Sequence, residues 1–230
     1  MPVTETDQQT VQDLSTSRIR SRSKNIYAIT DSQLMPGNEL LEKSETALKA
    51  GIAFLQYRRK GGSEQERQQE ALALLTLCRQ HQTPLIINDD LPLALSIDAD
   101  GVHLGQGDGS LTQARQQLGP DKIIGATCHD SLELAEQAIS QGASYIAFGR
   151  FFPSNTKPNA KPAPLDLLAQ AKLRFDCPIV AIGGINHDNA AQVIQQGADY
   201  VAVVHTIFAS DQPDQQVIHL QQALNRVESV

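Results

Sequence analysis

The sequence contains no tryptophan, and Phe and Tyr together supply only 4% of its 230 residues. A core built from this chain must therefore be mostly aliphatic, as in many α/β proteins. Cysteine is equally sparse: Cys78, Cys128 and Cys177 are odd in number and widely separated. They form no C-x-x-C or zinc-type spacing, which excludes a disulfide framework and a zinc ribbon on pattern alone. Such thiols read as buried or incidental residues of a protein in a reducing cytoplasm. No apolar run approaches the ~20 residues a membrane helix needs. The opening stretch, MPVTETDQQT, lacks the apolar region of a signal peptide. A cytoplasmic location with no membrane partner is expected. Positive charge is in deficit, with 19 Lys and Arg against 26 Asp and Glu, a net charge of −7. That balance argues against nucleic acid as a partner, yet leaves room for a local basic pocket.

What the chain does have is alternation. Residues 1–24 are polar with little periodicity and read as a mobile N-terminal extension. From residue 25 to 230 short apolar runs alternate with helical patterns. Strands are expected at 26–30, 53–58, 84–88, 100–104, 122–127, 145–149, 178–182 and 200–204. Helices are expected between and after them: 38–50 with Asn38 at its N-cap, 63–80, 92–97, 110–118, 130–141 capped by Asp130, 164–174, 186–197 opened by Asn186, and 214–227. The second of these begins with Ser63-Glu64-Gln65-Glu66, a capping-box signature. Strict strand–helix alternation with near-continuous apolar strands means a parallel sheet covered by helices. Eight such units predict a compact, single-domain (β/α)8 TIM barrel, with a doubly wound open sheet as the competitor. Three helix-to-strand joins share one form, Lys49-Ala50-Gly51-Ile52, Gln141-Gly142-Ala143-Ser144 and Gln196-Gly197-Ala198-Asp199, which suggests a repeated unit.

In such a barrel, chemistry collects at the carboxyl ends of the strands. Polar residues crowd there in this sequence. The third strand ends in Asn88-Asp89-Asp90 and the fourth in Gly105-Gln106-Gly107-Asp108. Carboxylates on neighbouring strands suit Mg²⁺, which takes one or two of them, keeps waters and binds substrate phosphate oxygens. Asp89 and Asp108 are the candidate metal ligands. Arg58, Arg59 and Lys60 follow the second strand, and Lys157 lies in the loop after the sixth. In an acidic protein such a cluster points to a phosphate or diphosphate. Strand alternation puts Gln56, Arg58 and Lys60 on one side, and makes Arg59 a solvated surface charge. Gly183-Gly184 after strand seven and Val204-His205 after strand eight occupy the phosphate position of many barrels. Two anion stations result, one metal-assisted and one metal-free, with Thr127, Ser154, Thr156 and Lys157 between them. Small phosphorylated molecules are the expected partners. Cys128 is the best candidate for a protein nucleophile, and nothing around it in the sequence would activate it.

The segments Gln56-Tyr57-Arg58-Arg59-Lys60, Ile87-Asn88-Asp89, Ala99-Asp100-Gly101-Val102-His103-Leu104-Gly105-Gln106, Phe148-Gly149, Phe152-Pro153-Ser154-Asn155-Thr156-Lys157 and Ala181-Ile182-Gly183-Gly184-Ile185 resemble thiamine-phosphate synthase. The resemblance runs from about Tyr27 to Ile207. It implies a (β/α)8 barrel that joins hydroxymethylpyrimidine diphosphate to a thiazole phosphate with Mg²⁺, releasing pyrophosphate. It also implies that Gln56, Arg58, Lys60, Asn88 and Lys157 contact the pyrimidine diphosphate, Thr127 the pyrimidine or diphosphate, and Asp89 and Asp108 the metal. Ser154, Thr156, Gly184, Val204 and His205 would contact the thiazole phosphate. Arg58, Lys60, Thr127 and Lys157 are the groups expected to act on the reacting centre. The chain departs from the family's usual residues at Tyr57, Asp90, Thr127, Arg150, Ser154, His205 and Thr206. Two other readings compete. A thiazole tautomerase of the same fold would have no use for the diphosphate–Mg²⁺ set. A non-catalytic protein that binds thiamine precursors would accommodate the changes at Asp90, Arg150 and His205.

Overall fold

The structure is a computed structural model, which describes residues 16, 19, 25–154 and 161–225. Eight strands form one closed parallel barrel in sequence order. They are β1 (Ile26–Ile29), β2 (Phe54–Tyr57), β3 (Leu85–Asn88), β4 (Gly101–Leu104), β5 (Ile123–His129), β6 (Tyr145–Gly149), β7 (Ile179–Ile182) and β8 (Tyr200–Val203). The helices are α1 (Glu39–Ala50), α2 (Glu64–Gln80), α3 (Leu91–Ser96), α4 (Leu111–Leu118), α5 (Leu132–Ser140), α6 (Asp166–Arg174), α7 (Ala190–Gln195), α8 (His205–Phe208) and α9 (Pro213–Asn225). The pairing of Tyr27 with Ala202 joins β1 to β8 and excludes the open doubly wound sheet. Among the described residues no helix is long and apolar enough to cross a membrane.

The strands read as continuous apolar runs because both of their faces are buried. Side chains pointing outward, such as Leu55, Ile87, Val102, Ile124 and Ile146, pack under the helices in one aliphatic layer. Side chains pointing inward form a second cluster, and here aromatics concentrate: Tyr27, Phe54, Tyr145 and Tyr200. Their rings meet edge-on or tilted, with centroids 5.3 Å apart for Tyr27–Phe54 and Phe54–Tyr200 and 5.8 Å for Tyr27–Tyr145. The aliphatic expectation thus fits the outer layer, whereas the barrel lumen takes rings, whose volume a small number of strands can use to fill it. Ile19 belongs to this inner cluster at 1% exposure, and its carbonyl accepts a hydrogen bond from the Tyr200 hydroxyl at 2.6 Å. The remainder of 1–24, Thr16 apart, lies outside the described residues.

Helix starts differ from the sequence reading in instructive ways. The Ser63 capping box forms in full, with Ser63 and Glu66 bonding each other's backbone N–H. Asn38 stands at the N-cap of α1, but its side chain makes no capping bond. Ser131, not Asp130, caps α5 by accepting from Leu134 N; Asp130 pairs with Lys161 instead. Helix α7 starts at Ala190, four residues after Asn186, because the Asn186 side chain accepts from Asp188 N and so closes a turn there. Helix α8 is not legible in the sequence: four residues are too few for a period.

Candidate active site

The strand C-termini surround a cavity of about 560 Å³. Gln56, Arg58 and Lys60 line it, while Tyr57 and Arg59 do not. Period-two alternation carries the first set into the lumen and the second to the outer face. Arg59 is tied there to Glu70 and Glu66, and the Tyr57 hydroxyl donates to Glu70 at 2.7 Å. Arg58 is held from the other side: its guanidinium lies 3.7 Å from Asp31, with both side chains about 15% exposed. An arginine fixed by one carboxylate at its flank keeps its remaining donors in a set direction.

The run Asn88-Asp89-Asp90 divides its labour. The Asn88 amide donates to Asp89 Oδ2 at 2.6 Å. Asp89 N donates to the His103 carbonyl at 2.8 Å, and Asp89 sits in the left-handed region at φ 63°. Such a backbone is costly for most side chains and milder for Asp or Asn; both Asn88 and Asp89 line the cavity. Asp90 turns away: it caps α3 by accepting from Leu93 N at 3.0 Å and lies 3.8 Å from Arg67. The departure at Asp90 therefore falls outside the cavity.

Asp108 reaches the same cavity from the β4 loop. Its Oδ2 accepts from Gly105 N at 3.0 Å. A side chain at residue 105 would obstruct this approach, because a Cβ there would come within 2.5 Å of the same oxygen. Two carboxylates and an amide facing one cavity suit a hard divalent ion that keeps waters. Among the described residues no group of three or more His, Cys, Asp or Glu is placed to hold a metal ion, so a closed zinc-type site is absent there.

Thr127 of β5 lines the cavity, whereas its neighbour Cys128 points outward into the helix layer. Burial pushes the Cys128 thiol up to about 12, which removes it as a nucleophile near neutral pH. On the opposite wall stand Ser154, Gly183, Gly184, Val204 and His205. Gly184 has φ 65°, and a Cβ there would lie 2.2 Å from the Pro153 carbonyl, so the turn needs glycine. The turn is braced by the Asn189 amide, which donates to Gly184 O at 3.0 Å, and by Thr206, which donates to Ile185 O at 2.6 Å. Arg150 lines the same wall and packs on Gly183; a Cβ on that glycine would come within 2.2 Å of Arg150 Cβ. Thr156 and Lys157 lie outside the described residues.

Among the cavity residues that carry no role in the sequence reading, three sit together. Tyr27, His103 and Tyr145 sit at the cavity floor. Tyr27 and Tyr145 read as core residues; the signal is a single polar atom on each, inside a strand otherwise without one. His103 is visible as the polar residue in Gly101-Val102-His103-Leu104, and register places it beside Asn88.

Comparison with known proteins agrees with this architecture. A family model described as thiamine monophosphate synthase matches residues 26–207. The thiamine-phosphate synthase of Saccharophagus degradans is 56% identical over 187 residues, covering 81% of this chain and 86% of that protein. The protein of the same name from Alcanivorax borkumensis is 50% identical over 193 residues, covering 84% and 89%. A solved structure, thiamine phosphate pyrophosphorylase from Pyrococcus furiosus, superposes with a TM-score of 0.80 at 32% identity, covering 88% of this chain and 96% of that one. With a closed barrel, a cavity at its C-terminal rim and a match running from β1 into α8, this chain belongs to the thiamine monophosphate synthase family of transferases.

Proposed function

We propose that this chain joins hydroxymethylpyrimidine diphosphate to a thiazole phosphate, plain or carboxylated, and yields thiamine phosphate and pyrophosphate. One observation carries the reading. A single cavity brings Asp89, Asp108, Arg58 and Lys60 together with the Gly183-Gly184 turn and Val204-His205. Such a room offers stations for a diphosphate and for a monophosphate at once.

The chemistry needs no protein nucleophile. The methylene–oxygen bond of the diphosphate breaks, and its electron pair leaves with pyrophosphate. The aminopyrimidine ring stabilises the cation left on the methylene carbon, and the thiazole nitrogen then supplies the pair for the new C–N bond. Asp89 and Asp108 would hold Mg²⁺, which when bound supplies positive charge against the departing diphosphate. Arg58 and Lys60, with Lys157, stabilise the same charge as it develops. Gln56, Asn88 and Thr127 hold the pyrimidine and its diphosphate. Ser154, Thr156, Gly184 and the Val204-His205 backbone hold the thiazole phosphate. Crowding of both substrates in one closed-bottomed cavity excludes water from the cation. A cytoplasmic location is inferred from three buried, unbridged cysteines.

The test is direct: incubate the protein with both substrates and Mg²⁺, and assay thiamine phosphate and pyrophosphate. Formation of both in equal amounts is expected. Interconversion of thiazole isomers without thiamine phosphate would assign a tautomerase. Tight binding of precursors without pyrophosphate release would assign a non-catalytic binder, the reading that Arg150 and His205 on the cavity wall favour.

A further inference from the structure

The floor of the cavity holds a continuous chain of hydrogen bonds through five residues from five strands. Gln56 Nε2 donates to Tyr27 Oη at 2.9 Å, and the Tyr27 and Tyr145 hydroxyls are 2.8 Å apart. Tyr145 Oη lies 2.8 Å from His103 Nδ1, and His103 Nε2 lies 2.8 Å from Thr127 Oγ1. We propose that Tyr27, Tyr145 and His103 are positioning residues that fix which end of this chain accepts and which end donates, and so select a pyrimidine bearing an amino group over one bearing an oxo group. This inference rests on the pyrimidine station described above and goes beyond it, because it assigns three residues that no substrate contact requires.

The direction follows from the Gln56 amide, whose nitrogen faces Tyr27, and from counting protons onward from it. Each phenol has one proton, and burial raises both phenols above their ordinary pKa, so both remain donors. Tyr27 receives the Gln56 N–H, and among the described residues only Tyr145 remains to take its own proton. Tyr145 must then donate to His103 Nδ1. That sets the tautomer of the imidazole, whose Nε2–H donates to Thr127 Oγ1. The Thr127 proton is left for the cavity at one end, and Gln56 Oε1 is left to accept at the other; both residues line the cavity. An exocyclic amino group can only donate and suits Gln56. An aromatic ring nitrogen can only accept and suits Thr127. An oxo group at the same carbon would face the Gln56 oxygen lone pair to lone pair, and its ring N–H would face a donor.

The packing supports a built network. Gln56, Tyr27 and Tyr145 are 2–3% exposed, where an unmatched polar atom is expensive. The His103 and Tyr145 rings stack with centroids 5.6 Å apart. Gly125 on β5 makes room for that stack. A Cβ there would fall 2.2 Å from Tyr145 Oη and 2.5 Å from His103 Nδ1. Its φ is not in the left-handed region, so the need for glycine comes from these two side chains.

The test compares two probes, 4-amino-5-hydroxymethyl-2-methylpyrimidine and its 4-oxo analogue, by calorimetry, and their diphosphates by kcat/KM. The wild-type protein should prefer the amino form by about 10²-fold or more. Tyr145→Phe keeps the ring and removes the middle link. It should weaken amino-form binding about tenfold and shrink the amino-to-oxo ratio by a similar factor. The KM for thiazole phosphate should stay within about twofold, because no bond to that wall is lost. Gly125→Ala keeps every polar group but displaces the stack, and should shift the ratio in the same direction. A ratio unchanged in both variants would overturn the proposal, whether or not turnover falls. Absence of any amino preference in the wild-type protein would overturn it as well. A wild-type protein that prefers the amino probe, loses that preference with Tyr145→Phe, and yet makes no thiamine phosphate would sustain this inference while removing the synthase reading.

Discussion

At the scale of residues, the cavity separates side chains that do chemistry from neighbours that only hold shape. Asp89 is the sharpest case, since its backbone lies in the left-handed region and the residue lines the cavity. Asn tolerates that backbone nearly as well, so Asp89→Asn should fold normally while kcat with saturating Mg²⁺ falls about 10²–10³-fold. Unfolding curves and a Mg²⁺ titration of turnover check both halves. Arg58 is braced by Asp31 rather than by substrate-side groups. Arg58→Ala should therefore raise KM for the pyrimidine diphosphate by about tenfold or more and leave KM for thiazole phosphate within about threefold; equal loss for both substrates would contradict the two-station layout. The thiols give a pH prediction. Burial pushes Cys78 and Cys128 from an ordinary value of 9.0 up to about 12, so the folded state holds these protons more tightly than the unfolded chain. Their contribution to stability is complete below about pH 9 and declines as pH rises from about 9 to about 12. Iodoacetamide at pH 8.5 should leave both unmodified until the protein is unfolded, as mass spectrometry would show.

At the scale of elements, strands are easier to read than helix ends, for a physical reason. A parallel strand buried on two faces announces itself as an apolar run, so β1 to β8 are visible in the sequence. A helix start depends on which of several adjacent polar residues closes onto the backbone. Asp130 and Ser131 are both good caps, and only the backbone path of the β5 loop decides for Ser131. Asn189 stands at the N-cap of α7 without a side-chain capping bond, and the turn closed by the Asn186 side chain delays the helix. The site divides in the same way. Gln56, Arg58 and Lys60 can be placed together because period two is local. The Tyr27–Tyr145 pair cannot, since its partners are 118 residues apart and meet only when the barrel closes. The Ser63 box is legible because its whole signature lies within four residues. It anchors α2 directly after the Lys60-Gly61-Gly62 turn. Ser63→Ala should cost about 1 kcal/mol in urea denaturation, with kcat changed less than about twofold because neither Ser63 nor Glu66 lines the cavity.

At the scale of the whole molecule, the barrel keeps its chemistry and its closure at opposite ends. Polar groups gather where the strands finish. The other end is sealed by rings, Phe54 at the start of β2 and Tyr200 at the start of β8, with Ile19 packed among them. Ile19 is 1% exposed, and its carbonyl accepts a hydrogen bond from the Tyr200 hydroxyl at 2.6 Å. Ile19 thus supplies a plug from outside the eight βα units. Ile19→Ala keeps the carbonyl and removes most of the buried side chain, leaving a cavity under rigid rings that cannot collapse into it. A loss of about 2–4 kcal/mol is expected, read as a lower urea midpoint with an unchanged slope. At a temperature where the variant remains folded, its kcat should match the wild-type value within about twofold, because the strands carry the catalytic wall and the plug touches only their beginnings. A variant that is fully folded yet loses turnover would mean that the lumen transmits strain from base to rim, through the same Tyr27–Phe54–Tyr200 ring contacts that link Ile19's neighbours to the cavity floor.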